Sequence, residues 1–135
     1  MLQELHLKKL RDVPGPSVVQ DVDWLCRSFG LVTTRDKDET SARIFQLVVD
    51  AAAKKRGVTS DLLAEMTHLT RGAVVHHINS FISAGVLVKE QRTYVLRSQS
   101  IKKTVEEIQK DAERIFEDLK KIAEELDQKL GLAYR

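Results

Sequence analysis

Apolar residues recur at three- and four-residue intervals over most of the chain, which predicts a mainly helical protein. Leu2, Leu5, Leu7 and Leu10 lie among charges and fit a short amphipathic helix over residues 1–13, although Leu5 and Leu7 also alternate. Pro14-Gly15-Pro16 is a firm break. Ser17 then caps a helix to about Phe29, with Val18, Val22, Leu25, Cys26 and Phe29 on one stripe and Gly30 ending it. Residues 33–41 are polar and charged and read as a linker. From Thr40 or Ser41 the period is helical again, through Ile44, Leu47, Val48, Ala51 and Ala52. Lys54-Lys55-Arg56 occupy the last turn before Gly57, where cations complement the helix dipole; a phosphate contact by this cluster would be an addition.

The stretch from Leu69 to Leu87 organises the rest. Thr70 is a good N-cap, the segment runs to Ala84 without proline or a charge after Arg71, and Gly85 is a favoured stop. Val74, Ile78 and Phe81 share one face with His77 beside them, and this face must be buried. Arg71, Gly72, Val75, His76 and Asn79 point the other way, a short-chained face opened by one arginine and suited to close approach to a major groove. Upstream, Thr59 to Thr67 reads as a shorter helix capped by Thr59 or Ser60, with Leu62, Leu63 and Met66 as its apolar side. Two short helices joined by so tight a turn predict a helix-turn-helix.

After Gly85, Val86 to Glu90 and Tyr94 to Arg97 are β-prone runs joined by three or four polar residues. A hairpin directly after a DNA-reading helix is a wing. Arg92 near its tip is the candidate for a minor-groove or phosphate contact, with Lys89 and Arg97 flanking it.

The segment LAEMTHLTRGAVVHHINSFISAGVL resembles the prokaryotic winged helix-turn-helix transcription regulators of the ArsR and MarR-like type. Leu63, Ala64, Glu65, Thr67, Leu69, Val74, His76, His77, Ala84 and Gly85 match that family's pattern outright, and Thr70, Ile78, Phe81 and Val86 are conservative replacements. His68 stands where the family has a turn glycine, and Gly72-Ala73 softens the first turn of the second helix. The likeness covers roughly residues 40 to 98. It implies a winged-helix fold in which Thr70, Arg71, Gly72, Val75 and His76 lie on the groove-facing side.

The last element is the most regular. Ile101, Val105, Ile108, Ala112, Ile115, Leu119, Ile122 and Leu126 form an unbroken heptad seam, with Phe116 widening it on one side. Glu106 with Lys110, Glu117 with Lys121, and Glu125 with Lys129 are i,i+4 pairs in the favoured order. A helix from about Gln99 to Leu130 would be roughly 48 Å long and could not bury its seam on a domain of about 60 residues. Pairing with a second copy is the expectation; folding back on residues 1–39 is the alternative. The heptad pattern does not distinguish parallel from antiparallel pairing.

Composition narrows the choice of function. A chain of 135 residues with 42% apolar residues suits one core with appendages. With a single cysteine, Cys26, no disulfide framework or thiolate cluster is possible within the chain, so a buried inert thiol and a reducing cytoplasm are expected. There is no apolar run of membrane-span length. Trp24 is off the centre of its stripe and is expected to pack at a subunit or domain edge. Residues 40–98 hold eight Lys/Arg against four acids, whereas each flank carries one more acid than base. Positive charge is thus concentrated where phosphate binding needs it.

The sequence therefore predicts a mainly α protein with a small β-hairpin wing. Residues 1–39 form an N-terminal helical extension, 40–98 a winged helix-turn-helix domain, and 99–131 a coiled-coil dimerisation helix. The expected activity is sequence-specific binding of double-stranded DNA by a homodimeric transcription regulator. Thr70, Arg71, Gly72, Val75, His76, Asn79, Lys89 and Arg92 would contact DNA, and the seam from Ile101 to Leu126 would form the dimer. His77, about 100° away from His76 on the helix, goes to the core or a helix-helix seam. No metal or cofactor is expected, and any small-molecule effector is unknown. An interaction module that uses the coiled coil to recruit a partner is the alternative. An enzyme is the weakest reading, since no nucleophile elbow, phosphate loop or paired ligand set is present.

Overall fold

The computed structural model describes residues 2–31 and 40–132, so the predicted linker lies almost wholly outside the described residues. Helices begin where a short hydroxyl side chain closes the first turn. Ser17 starts α1 (Val18–Ser28) with a reciprocal capping box to Gln20. Thr59 accepts from the Leu62 amide at 3.1 Å and starts α3 (Ser60–Thr67), and Thr70 accepts from the Ala73 amide at 3.1 Å and starts α4 (Arg71–Ser83). Ser100 does the same through Lys103 for α5 (Ile101–Leu130), which Gly131 ends. Each such cap satisfies an amide that the helix itself leaves unpaired and contributes about 1 kcal/mol.

The remaining helix, α2 (Thr40–Ala53), is the centre of the body and packs on α1, α3, α4 and the hairpin. Its Ile44, Phe45 and Val48 are buried with Leu63 of α3 and with Val74, Ile78 and Phe81 of α4. The Phe45 and Phe81 rings stack with centroids 5.5 Å apart. Cys26 and Val22 of α1 are buried in the same core.

Strands β1 (Leu87–Glu90) and β2 (Thr93–Leu96) form an antiparallel hairpin with Leu87 opposite Leu96 and Glu90 opposite Thr93. Val58 adds an isolated bridge to Tyr94. The protein is thus mainly helical, with a two-stranded hairpin and a long C-terminal helix. No described helix is long and apolar enough to cross a membrane.

Several local expectations are corrected. The expected helix does not form over residues 2–13: residues 2–10 have no regular secondary structure, and residues 11–12 bend. Its amides serve carbonyls at the ends of other helices, with Gln3 and Glu4 donating to Ser83 O at 2.7 and 3.1 Å and Lys8 to Ser28 O at 2.8 Å. An isolated helix of that length is marginal in water, and orphan helix-end carbonyls offer better partners. Helix α2 stops at Ala53, before the basic cluster, and Lys55 rather than Gly57 takes the left-handed conformation, at φ 56°. Gly57 instead leaves room for Thr93, whose side chain would lie 2.4 Å from an added Cβ. Leu62 and Met66 of α3 are exposed, and Leu63 alone of that trio is buried. The hairpin link is two residues, Gln91-Arg92, because Thr93 joins the strand and its hydroxyl donates to Glu90 O. On α5 the acid-base pairs are i,i+3, Glu107 with Lys110 and Glu117 with Lys120, in place of the expected i,i+4 set.

Candidate nucleic-acid interface

Between α3 and α4 the chain turns in three residues, His68, Leu69 and Thr70. His68 takes the left-handed conformation there, at φ 58° and ψ 28°. Histidine is one of the non-glycine residues that tolerate this region, so the turn closes without glycine. Thr67 ties its hydroxyl to Leu63 O at 2.6 Å, and Arg43 of α2 donates to Met66 O, so the turn is held from both sides.

Helix α4 presents two faces. Val74, Ile78 and Phe81 are 0–1% exposed in the core, as their spacing predicts. His77 is half-buried with Nδ1 2.9 Å from Ser41 Oγ of α2, which places it at the helix-helix seam. The opposite face carries Arg71, Gly72, His76, Asn79 and Ser80 exposed, with Val75 half-buried among them. Thr70 lies exposed at its start, its oxygen engaged as the cap. An added Cβ on Gly72 would meet nothing within 4 Å among the described residues, so its position in the first turn is open. Arg71 lies 3.6 Å from Asp61, both side chains more than two-thirds exposed. Such a pair contributes at most about 1 kcal/mol and leaves the guanidinium free to exchange partners.

On the hairpin, Arg92 stands exposed at the tip and makes no ion pair among the described residues. Three residues separate α4 from β1, and the four residues of β1, rising about 3.3 Å each, set the tip about 13 Å beyond the start of the strand. Lys89 is exposed, with its amine 5.8 Å from the centroid of the Tyr94 ring. A cation-π contact of this kind accounts for part of its position.

Arg97 does not flank the hairpin as a contact residue. Its guanidinium reaches inward to the Asp111 carboxylate of α5 at 2.6 Å, and both side chains are largely buried. The amide of Leu2 donates to the same carboxylate at 3.2 Å. Hydrogen bonding from Arg97 holds the Asp111 carboxyl below its ordinary value of 3.8, with the Leu2 amide and the nearby Arg97 and Arg114 charges adding to it against the opposing effect of burial. One carboxylate thereby ties together the N-terminal segment, the hairpin base and α5. Elsewhere, Arg27 bonds both Asp12 and Asp23, and its hydrogen bond lowers the Asp12 pKa. Trp24 donates its indole N–H to Asp12 O at 3.0 Å, anchoring the same loop.

The predicted seam of α5 divides into two parts. Ile108 is buried in the core of its own chain and is not available to a partner, Ile101 packs against that core, and Val105 and Ala112 are half-buried. Beyond Ala112, Ile115, Leu119, Ile122 and Leu126 are exposed, together with Phe116 and Leu130. The body covers the first turns because Thr104, Ile108 and Asp111 face it; no described part of the chain covers the rest.

Sequence reasoning missed the residues that border the exposed face of α4. Glu4 and His6 of the N-terminal segment, with Phe29, Gly30 and Leu31, close a cleft of about 310 Å³ against His76, Asn79, Ser80 and Ser83. The alternation of Leu5 with Leu7 is the only feature of the sequence there that departs from a helical pattern. Among the described residues, no three His, Cys, Asp or Glu side chains are placed to share a metal ion. The chain matches no protein-family model, no curated protein and no solved structure.

Proposed function

We propose that the chain is a homodimeric, sequence-specific double-stranded DNA-binding protein of the winged helix-turn-helix type, acting as a transcription regulator. The observation that carries this reading is the pair α3 and α4. A three-residue turn joins them, and α4 is fixed in the core on one side. Its other side offers Arg71 at the start and the shorter Gly72, His76 and Asn79, over which a major groove can come close. In this reading α4 is the recognition helix. Arg71 reaches a guanine edge or phosphate, Thr70 and the helix N-terminus a phosphate, and His76 and Asn79 base edges or backbone. Arg92, at the tip of the wing, meets the flanking backbone or minor groove, with Lys89 behind it.

The exposed half of α5 supports a dimer. Burying an apolar side chain contributes on the order of 1.5 to 3 kcal/mol, so six such side chains on each chain offset the cost of association. Two recognition helices about 34 Å apart would then demand an inverted-repeat site. The same apolar stripe equally fits a recruited helix of another protein, which keeps an interaction module as the second reading.

Fluorescence anisotropy on random-sequence and promoter duplexes, at about 50 and about 200 mM salt, tests the assignment. Binding should be salt-dependent, with some promoters preferred. Arg71→Ala should weaken specific binding by roughly 1 to 3 kcal/mol while leaving the protein dimeric. Unchanged affinity would remove Arg71 from the reading surface. Absence of binding at the lower salt would move the assignment to the interaction module.

A further inference from the structure

The N-terminal segment is built into the body beside the exposed face of α4, and its free positive charge is unexplained by the fold. Two glycines in the left-handed conformation receive it. At Gly85, φ +77°, an added Cβ would lie 3.3 Å from the Leu2 backbone; at Gly30, φ +67°, it would lie 2.8 Å from His6 O. Backbone bonds to Ser83 and Ser28 and the Leu2 bond to Asp111 hold the same stretch, and Leu2 and Leu5 pack on the core. Glu4 and His6 face His76, Asn79 and Ser80 across the cleft. The chain then continues through Lys8, Lys9 and Arg11, all exposed and in no ion pair among the described residues. Of the nearby acids, Asp12 is engaged by Arg27 at 3.0 Å, and Glu4 lies 3.6 Å from His6.

We infer that residues 6–11 form a preset arm that binds the phosphate backbone of duplex DNA along the edge of the groove entered by α4. The inference rests on the DNA-binding reading above. A chain advances at most about 3.3 Å per residue, so Lys8 lies within about 7 Å, and Arg11 within about 17 Å, of His6 at the cleft. A major groove is about 12 Å wide with phosphates at its borders, so in the proposed complex these cations come within reach of the strand that flanks the recognition helix. Because Lys8 is tied to α1 and residues 2–4 just before the arm are held at α4 and α5, docking it costs little conformational entropy. Phosphate contacts carry no sequence information, so the arm adds affinity and register while the reading of bases stays with α4.

The test compares the full chain with a Lys8→Ala, Lys9→Ala, Arg11→Ala variant, measuring affinity for one duplex across a salt series. A second variant, Lys120→Ala, Lys121→Ala, Lys129→Ala, removes the same charge from the far half of α5. The arm variant should bind at least about tenfold more weakly near 100 mM salt. Its slope of log affinity against log salt should be shallower by about 0.9 for each phosphate that the arm no longer neutralises, while the α5 variant keeps the parent slope. A DNA-cleaving iron chelate on Leu7→Cys, at an exposed position, should cut the duplex beside the segment protected by α4. If the parent binds with a steep slope and Arg71→Ala weakens it, but the arm variant matches the parent and the chelate does not cut, the arm is overturned and the DNA-binding reading stands. If the arm and α5 variants fall equally, net charge explains the loss and the arm is again overturned. If the parent shows no salt-dependent binding, both readings fail together.

Discussion

The two halves of α5 share one heptad pattern and meet opposite fates. From Ile101 to Ala112 the seam lies on the chain's own body, with Thr104, Ile108 and Asp111 buried. From Ile115 to Leu130 the same spacing leaves its apolar side chains in water. The pattern reports that a surface is to be covered; it does not report by what. The first half is closed by contacts within the fold, including the Asp111 carboxylate between Arg97 and Leu2. The second is an unclosed surface that a second copy completes in the proposed dimer.

Substitutions in the two halves should therefore separate cleanly. The largest effect is expected from Leu119→Asp with Ile122→Asp, which places charges in the proposed interface. Dimer affinity should fall at least about a thousandfold, near 4 kcal/mol, while urea unfolding of the dilute monomer changes by no more than about 0.5 kcal/mol. A variant that stays dimeric would show that the exposed stripe is not the interface. Ile108→Ala should do the reverse. It should cost about 3 kcal/mol of unfolding free energy by leaving a cavity in the body, and leave the intrinsic pairing of the distal half intact.

Asp111→Asn removes the charge that answers a mostly buried Arg97, and should cost about 2 to 3 kcal/mol. The pH dependence has a definite sign. The Asp111 pKa is depressed in the folded chain, so its contribution is complete well above the ordinary value of 3.8 and disappears as the pH falls through the lower folded value. Acid titration of the parent should show this loss and that of Asp111→Asn should lack it, as followed by circular dichroism. The smallest effect is expected at Gly72, where open space awaits a side chain. Gly72→Ala should raise stability by about 0.5 kcal/mol. A simultaneous loss of DNA affinity would mark the bare backbone as a groove contact, and a gain in both would remove Gly72 from the proposed reading surface.

Much of this architecture is legible in the sequence. Thr70 and Gly85 bracket α4 at the expected ends, its core triad is buried where a 3.6-residue period puts it, and β-branched and aromatic residues around Gln91-Arg92 mark the hairpin. Those features depend on local caps, turns and periodicity. The N-terminal segment misleads because its leucines satisfy a helical spacing weakly, while the bonds that decide its path go to Ser83, Ser28 and Asp111, far away in sequence. Arg97 misleads for a related reason. A cation at a hairpin base and an acid beside a heptad seam each look solvated alone, and only the fold brings them to 2.6 Å. Of the candidate contact residues, those on α4 share a face as their spacing requires, whereas the cleft with Glu4 and His6 has no signal in the pattern.

The central claim is that the unclosed half of α5 joins two chains so that two α4 helices address one duplex. Light scattering of the protein alone and with a preferred duplex, at low salt, measures this directly. The account predicts twice the 15.3 kDa chain mass for the free protein and two chains per duplex in the complex. A free mass of one chain at every concentration, or a complex holding a single chain, would contradict it.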